Sequence, residues 1–218
     1  MLIDRLIVGP IEENCYIVGD EETRRGVIID PGDEPERIVG TVRGLGLKVD
    51  TIFNTHAHVD HICAAQDVKE QLGARLYLHP GDEMYLPDLV EHAAMFGMHK
   101  ARRPTVDVWM ADGDRIECGT LEIAVTHAPG HTPGHCLLTI GEDVFCGDLI
   151  FAGSIGRTDL PGGNYEQIIA SLESTILTLP EPTRLHPGHG ESTTVAVERR
   201  LNPFLRGLSP RRRSRSAI

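Results

Sequence analysis

Residues 55–61 read Thr55-His56-Ala57-His58-Val59-Asp60-His61, a run that holds three imidazoles and a carboxylate. In an extended backbone, side chains two residues apart point to the same side, so His56 and His58 can bind one metal ion. Where the chain then turns into a helix, Asp60 and His61 can face a neighbouring ion. The stretch therefore predicts two adjacent metal positions at a strand-to-helix turn. The alternative is that Asp60 only caps the helix and the histidines are exposed and unused.

Further ligands are expected from other loops, because each zinc ion needs about four donors and this turn offers four for two ions. Three candidates each follow a predicted strand and have glycine neighbours, which let the backbone approach a crowded cluster. They are His131 in Pro129-Gly130-His131-Thr132-Pro133-Gly134-His135, Asp148 after the strand that ends at Cys146, and His189 in Pro187-Gly188-His189-Gly190. A carboxylate such as Asp148 can bridge two cations about 3.5–4 Å apart.

Outside these loops the hydrophobic pattern mixes strands and helices without strict alternation. Strands are predicted at 2–8, 15–18, 27–29, 51–54, 74–78, 105–109, 115–117, 121–126, 136–140, 144–146 and 183–185. Helices are predicted at 34–45, 62–72, 83–100, 165–177 and 195–201. This order favours one α/β domain over residues 1–208, with two sheets covered by helices and loops gathered at one edge. Residues 209–218 are rich in Ser and Arg and are predicted to be a disordered basic tail.

The composition limits the partners and the compartment. A net charge of −11 disfavours nucleic acid as a partner. Five cysteines without a CxxC pair fit a reducing compartment, and Asp4 and Arg5 interrupt the N-terminal apolar stretch before it can form a signal peptide. No apolar run is long enough to span a bilayer. We therefore expect a cytoplasmic protein with no membrane partner, and no pattern specifies its oligomeric state.

The order of His56-x-His58-x-Asp60-His61, His131, Asp148 and His189 resembles the motif set of the metallo-β-lactamase superfamily. The resemblance extends from Asp30-Pro31-Gly32 to Asn202-Pro203-Phe204, and it is greatest to short prokaryotic glyoxalase II-like (hydroxyacylglutathione hydrolase-like) hydrolases through residues 153–163. It implies an αβ/βα sandwich of two mixed β-sheets flanked by helices, with the site at one edge. It also implies that His56, His58 and His131 bind the first metal, that Asp60, His61 and His189 bind the second, and that Asp148 bridges them.

The resemblance implies hydrolysis of small-molecule acyl-thioesters such as S-lactoylglutathione. Two divalent metal ions, zinc first with iron or manganese also accommodated, would convert a shared water to the attacking hydroxide. Asp60 is the expected catalytic residue, because it both ligates a metal and orients the attacking oxygen. A thiolate leaves without strong acid assistance, since its conjugate acid has a pKa of about 8.5. Glyoxalase II proper has a C-terminal helical domain that this sequence lacks, so we expect loose specificity for the thiol.

Two other functions stay open at this point. A persulfide (sulfur) dioxygenase with one iron shares the ligand motifs and a similar Gly-Arg-Thr-Asp, but that branch differs from this sequence after Leu160 and around Gly188-His189-Gly190. A zinc-stapled interaction protein is the non-enzymatic alternative, although structural zinc sites are closed cages rich in Cys.

Several residues near the motifs are candidates for supporting roles. Asp30 is a candidate to orient a ligand histidine from behind or to cap its own turn. Arg157 and Asp159 are candidates to brace the loop near Asp148 through an ion pair. His135 and Cys63 are expected to be structural. The methionines and phenylalanine of residues 83–100 are expected to pack as core or lid rather than to line a substrate opening.

Overall fold

Two six-stranded β-sheets pack face to face, and helices cover the outer face of each. The computed structural model describes residues 1–211. Within them the first sheet has the order β1-β2-β3-β4-β5-β6. Its strands are β1 (Leu2–Val8), β2 (Glu13–Gly19), β3 (Arg25–Ile29), β4 (Lys48–Phe53), β5 (Arg75–Leu78) and β6 (Val108–Trp109). The first three strands are antiparallel, and β3 to β6 are parallel.

The second sheet has the order β14-β13-β10-β9-β8-β7, and a two-stranded hairpin lies beside it. Its strands are β7 (Arg115–Cys118), β8 (Leu121–His127), β9 (Cys136–Ile140), β10 (Asp143–Gly147), β13 (Arg184–Pro187) and β14 (Thr193–Thr194), and the hairpin is β11 (Ile150–Phe151) with β12 (Ser154–Ile155). The helices are α1 (Pro35–Gly44), α2 (Val59–Ile62), α3 (Ala65–Leu72), α4 (Leu89–Met95), α5 (Tyr165–Ser174) and α6 (Val195–Leu201). Short 3₁₀ turns span Pro80–Tyr85, Ile176–Thr178 and Pro203–Leu205.

The core is divided into three layers by the two sheets. Strand β2 shows why, because its side chains alternate: Cys15 and Ile17 pack toward the α1–α4 side, whereas Tyr16 and Val18 pack between the sheets. The third layer lies between the second sheet and helix α5, where Leu172 is fully buried. A strand that is buried on both faces needs apolar residues on both faces, as β2 has from Cys15 to Val18. The predicted fold class and its sandwich architecture are confirmed.

Three predicted elements are wrong in extent. The helix predicted at 62–72 is two helices, because the backbone N–H of Ala64 donates to Pro31 O (3.1 Å) at the junction. The helix predicted at 83–100 is a 3₁₀ turn and the short α4, separated at Pro87, which disfavours helix at the residue before it. The strand predicted at 105–109 shrinks to β6, since the N–H of Thr105 donates to the side chain of Gln66 instead of a strand.

The chain end and the membrane prediction are described only in part. Arg211 donates its backbone N–H to Glu173 O (2.9 Å), and its Nε lies 2.8 Å from Glu173 Oε2. The rest of the predicted basic tail, residues 212–218, lies outside the described residues. Among residues 1–211, none of the helices has both the length and the apolarity that crossing a membrane requires.

Candidate metal centre

The seven predicted ligands lie together at one edge of the sandwich. Residues 55–61 follow β4, His131 follows β8, Asp148 follows β10, and His189 follows β13. Each of these strands ends at the same edge, so loops that are distant in the sequence meet there. This arrangement places two groups of donors side by side.

The first group consists of His56, His58 and His131. One ligand nitrogen from each lies within 4.8 Å of the others. His58 Nδ1 is 2.9 Å from His131 Nε2, and the rings of His56 and His58 pack edge to face with centroids 4.9 Å apart. Three imidazole nitrogens that converge in this way fit one transition-metal ion.

The second group consists of Asp60, His61 and His189. Asp60 Oδ2 lies 3.1 Å from His189 Nε2 and 3.7 Å from His61 Nε2. The three ligand atoms are again within 4.8 Å of one another. Two nitrogens and a carboxylate oxygen are donors that zinc, iron and manganese all accept.

Asp148 lies between the two groups. Its Oδ1 is 3.4 Å from His61 Nε2, and its Oδ2 is 3.6 Å from His131 Nε2 and 3.8 Å from His189 Nε2. One carboxylate therefore faces members of both groups, which is the placement that a bridging ligand needs.

The donor atoms fit metal ions because they are buried without other partners. Within the described residues, four such atoms have no hydrogen-bond partner: His56 Nε2, His58 Nε2, His61 Nε2 and Asp148 Oδ1. A buried polar atom that is left unpaired costs about 1–3 kcal/mol, and four at one place demand an explanation. Cations at the centre would satisfy His56 Nε2, His61 Nε2 and Asp148 Oδ1, whereas His58 turns its Nδ1 toward His131 and keeps Nε2 on the other side of the ring.

Hydrogen bonds behind the ring nitrogens orient the histidines. Asp30 Oδ2 accepts from the Thr55 hydroxyl (2.6 Å) and from His61 Nδ1 (3.0 Å). Because the Thr55 proton is directed to Asp30, Thr55 Oγ1 accepts from His56 Nδ1 (3.0 Å). His56 and His61 thus carry their protons on Nδ1 and present the lone pair of Nε2 to the site. Asp30 also accepts from the N–H of Thr55 (2.6 Å), so it orients a histidine as predicted, and the turn that it fixes is the one that carries His56 rather than its own.

The histidines of the site differ in pKa because their surroundings differ in charge. Burial lowers the pKa of His56 well below its usual value, and burial with the neighbouring His131 lowers the pKa of His58 to about 3. Burial acts in the same direction on His61, but Asp148 and Asp60 outweigh it and raise the His61 pKa well above its usual value. Burial opposes ionisation of Asp148, yet His61 and the other histidines hold its pKa far below normal. The first group is therefore neutral, whereas without a cation His61 is protonated beside Asp148 and Asp60. A cation bound at the second group would replace the Nε2 proton of His61.

Residues 8–194 match the family described as the Metallo-beta-lactamase superfamily. The chain belongs to that superfamily. It is 34% identical to the hydroxyacylglutathione hydrolase GloC of Haemophilus influenzae, over 96% of this chain and 100% of the relative. Its fold is similar to that of TTHA1623 in a di-iron-bound form (TM-score 0.84, 41% identity, 93% of this chain and 100% of the other). It is also similar to ETHE1 from Myxococcus xanthus (TM-score 0.81, 30% identity, 96% of this chain and 87% of the other).

Asp82 is a supporting residue of this metallo-β-lactamase site that sequence reasoning missed. It is fully buried, and it accepts hydrogen bonds from Ala57 N (3.0 Å), Thr132 Oγ1 (2.8 Å) and Gly134 N (2.6 Å). Ala57 lies between two ligands of the first group, and Thr132 follows the third. A single carboxylate therefore ties together the two loops that carry the first group.

Strand β2 holds the turn that carries His189, and this contact was also missed. Asn14 donates its side-chain amide to Pro187 O (3.0 Å) and Gly190 O (2.8 Å), and the Tyr16 hydroxyl donates to Pro187 O (2.7 Å). The sequence signal was a pair of polar residues, Glu13 and Asn14, at the start of an apolar strand. The Glu13 carboxyl is fully buried 3.8 Å from His61 Nδ1, and burial raises its pKa well above normal.

Arg157 and Asp159 form the ion pair that the sequence predicted. The pair is bidentate and lies at the surface (2.8 and 2.7 Å), and surface pairs of this kind stabilise little. The backbone carbonyl of Arg157 contacts the site directly, since it accepts from His131 Nδ1 (2.8 Å). His135 is fully buried, and its Nε2 accepts from the backbone N–H of Asp148 (3.1 Å).

A cavity of about 820 Å³ opens above the ligands, and His58, Asp60, His131, Asp148 and His189 form part of its lining. Core or lid packing was predicted for the methionines and phenylalanine of residues 83–100. Met84 and Phe96 are 54% and 53% exposed and line the cavity, so they lie over the site and line its opening as well. Met98 is buried and packs in the core.

Proposed function

We propose that this chain is a binuclear metal-dependent hydrolase of acyl-thioesters. The observation that carries the proposal is the position of Asp148, which faces His131 of one complete donor group and His61 and His189 of the other. Two groups that share a carboxylate at the floor of an open cavity are suited to hydrolysis assisted by two metals.

Two divalent ions bound here would lower the pKa of a coordinated water and polarise the substrate carbonyl. The protein side chains would hold the ions, orient the attacking water and supply negative charge. Burial opposes ionisation of Asp60, but His61 and the hydrogen bond from His189 keep its pKa below normal, so it is a carboxylate at neutral pH. That carboxylate lines the cavity floor, where it can accept a hydrogen bond from the attacking water and orient it.

A thioester suits this cavity because its thiolate leaving group does not need to be protonated by a general acid. A thiolate departs without a strong general acid, since the pKa of a thiol is about 8.5. The similarity to a relative named as a hydroxyacylglutathione hydrolase supports the same substrate class.

The metal we propose is zinc, with iron or manganese as substitutes that the same donors accept. The test is elemental analysis of the purified chain together with thioester hydrolysis before and after chelation. We expect close to two metal ions per chain, loss of hydrolysis on chelation, and recovery when metal is added back. Hydrolysis that survives complete metal removal would reject the proposal.

A persulfide dioxygenase with one iron is the second candidate, and the first group favours it because three imidazoles suffice for one iron. The second group argues against it, since a one-metal enzyme would not need Asp60, His61 and His189 arranged as donors. One tightly held iron with oxygen uptake on glutathione persulfide would establish this candidate instead. A zinc-stapled interaction protein fits less well, because the donors line an open cavity rather than a closed cage.

We also propose that the chain works in the reducing cytoplasm on a small molecule rather than on nucleic acid or a membrane. All five cysteines are free and buried, which suits a reducing compartment. The net charge of −11 opposes binding to a phosphate backbone.

A further inference from the structure

The walls of the cavity around the metal ligands are largely apolar. They come from the β1–β2 turn, α2, the 3₁₀ turn 80–85, the residue after α4, β11 and the loop after β12. The side chains that form these walls are Ile11, Val59, Met84, Phe96, Phe151 and Leu160. Apolar side chains that stay exposed around a polar centre mark a surface that an apolar ligand covers.

The charges around the same cavity do not favour an anionic ligand. Apart from the ligands Asp60 and Asp148, the lining carries Asp88 as a further carboxylate. Among the described residues that line it, Arg157 is the one permanent cation, and one edge of its guanidinium, Nε and Nη2, donates to Asp159. Outside the metal centre, a substrate with several carboxylates or phosphates would therefore meet one permanent cation that is already paired with a carboxylate.

We propose that this cavity selects thioesters with an unbranched apolar acyl chain on an uncharged thiol. The inference rests on the proposed thioester hydrolysis and narrows its substrate class. The thioester carbonyl lies at the metal ligands, the acyl chain lies against the apolar lining, and the carboxylate of Asp88 in the same lining disfavours a thiol that carries net negative charge. Each methylene that enters the cavity leaves water, and full burial of one methylene strengthens binding about fourfold.

The first measurement is kcat/KM for acetyl, butyryl, hexanoyl and octanoyl thioesters of N-acetylcysteamine and for the same acyl groups on glutathione. We expect kcat/KM to rise about two- to fourfold for each added methylene until the cavity is filled. We also expect the neutral carrier to be preferred over glutathione, whose thioesters carry net negative charge. A flat or falling series, or a preference for the glutathione thioesters, would overturn the inference.

Neighbouring side chains supply matched variants. Met84→Ser and Phe96→Ser remove apolar lining from exposed positions, so these variants are expected to fold and to flatten the dependence on chain length. Met95→Ser is the control, because Met95 precedes Phe96, is 78% exposed and lies outside the lining. An unchanged slope in Phe96→Ser and Met84→Ser, or a slope that changes equally in the control, would count against the apolar walls.

Binding of uncleavable S-alkyl thioethers of N-acetylcysteamine, measured by calorimetry on the metal-loaded chain, separates this inference from the proposed function. Affinity that rises with alkyl length, with a negative heat-capacity change, supports the apolar cavity whether or not thioesters are cleaved. If affinity rises but no thioester is hydrolysed, the proposed function fails and the selectivity stands. If thioesters are hydrolysed but affinity is independent of length, the selectivity fails and the proposed function stands.

Discussion

Asp148 Oδ1 lies 3.4 Å from His61 Nε2, and both atoms are buried without a hydrogen-bond partner among the described residues. The Asp148 carboxylate and the His61 imidazole meet because Asp148 follows β10 and His61 lies in α2, and both lie at the same edge of the sandwich. A carboxylate and an imidazole are costly to bury when their polar atoms lack partners. This pair therefore indicates a site that binds cations. The other carboxylate oxygen of Asp148 lies 3.6 Å from His131 Nε2 in the first group, so the proposed binding of two metals depends on this residue.

Asp148→Asn keeps the shape of this side chain and removes its charge. We expect the variant to lose one of two metal ions, because repulsion between the cations is no longer offset. Hydrolysis should fall by more than the roughly 10- to 100-fold that loss of a residue behind a ligand costs. Elemental analysis and steady-state kinetics measure these effects, and circular dichroism checks that the fold persists. A variant with two metals and full turnover would show that Asp148 does not bridge.

Asp82→Asn should weaken metal binding by the first group although Asp82 touches no ligand. The carboxylate accepts two N–H groups and one hydroxyl, whereas an amide offers one oxygen and turns N–H groups toward a backbone donor. We expect a roughly 10- to 100-fold loss of affinity, measured by equilibrium dialysis. The surface variant Asp67→Asn is the matched control. Equal affinities in both variants and the parent chain would mean that the loops hold their positions without Asp82.

Asp82 also makes stability depend on pH. Burial raises its pKa to about 6 against the lowering effect of its three hydrogen bonds. Its pKa in the unfolded chain is about 3.9, so the folded state binds this proton more tightly. The resulting stabilisation is full below about pH 4 and is lost as pH rises through about 6.

The magnitude of this effect is about 2–3 kcal/mol in the free energy of unfolding. Asp82→Asn cannot titrate, so the difference between the parent chain and this variant should decrease by that amount between pH 4 and pH 7. Denaturant unfolding with a chelator present measures it, since the ligand histidines then titrate alike in both proteins. A difference that is constant or grows with pH would contradict the assignment.

The clustering of the seven proposed ligands at one place was predictable because its signals are local. Residues 55–61 place four donors in one turn, and His131, Asp148 and His189 each follow a strand beside glycines, so the pattern alone indicates loops that meet at one edge. The sandwich followed from the order of strands and helices for the same reason. These predictions depended on neighbours in the sequence and not on distant contacts.

The supporting residues were not predictable because their partners are far away in the chain. Asp82 bonds to residues 25, 50 and 52 positions away, and Pro80-Gly81-Asp82 reads as an ordinary turn. Asn14 holds backbone carbonyls more than 170 positions away. Residues 83–100 were assigned to core or lid packing because Met and Phe are usually buried, whereas Met84 and Phe96, on either side of the break at Pro87, line the cavity.

Gly188 tests whether the turn before His189 must lie directly against the ligands. A Cβ atom on Gly188 would lie 2.3 Å from Asp148 Oδ1 and 2.5 Å from His61 Cε1, closer than any real contact. The backbone cannot retreat, because Gly188 O accepts from Asn14 N (2.7 Å) and Gly188 N donates to Gly147 O (2.9 Å). In Gly188→Ala the two ligand side chains must therefore move.

We expect Gly188→Ala to lose affinity for the metal of the second group by at least about tenfold. Loss of a residue that supports a metal ligand costs about 10- to 100-fold in metal affinity, and this is the lower end of that range. Gly40→Ala is the control, since Gly40 lies within α1 with open space around it, and alanine there should stabilise the chain by about 0.5–1 kcal/mol. Metal content after dialysis measures the affinity of both variants for metal, and the thermal midpoint measures their stability. Two metals held by Gly188→Ala as tightly as by the parent chain would mean that His61 and Asp148 have room to shift without losing the ion, and that the close approach of this turn does not serve the metal centre.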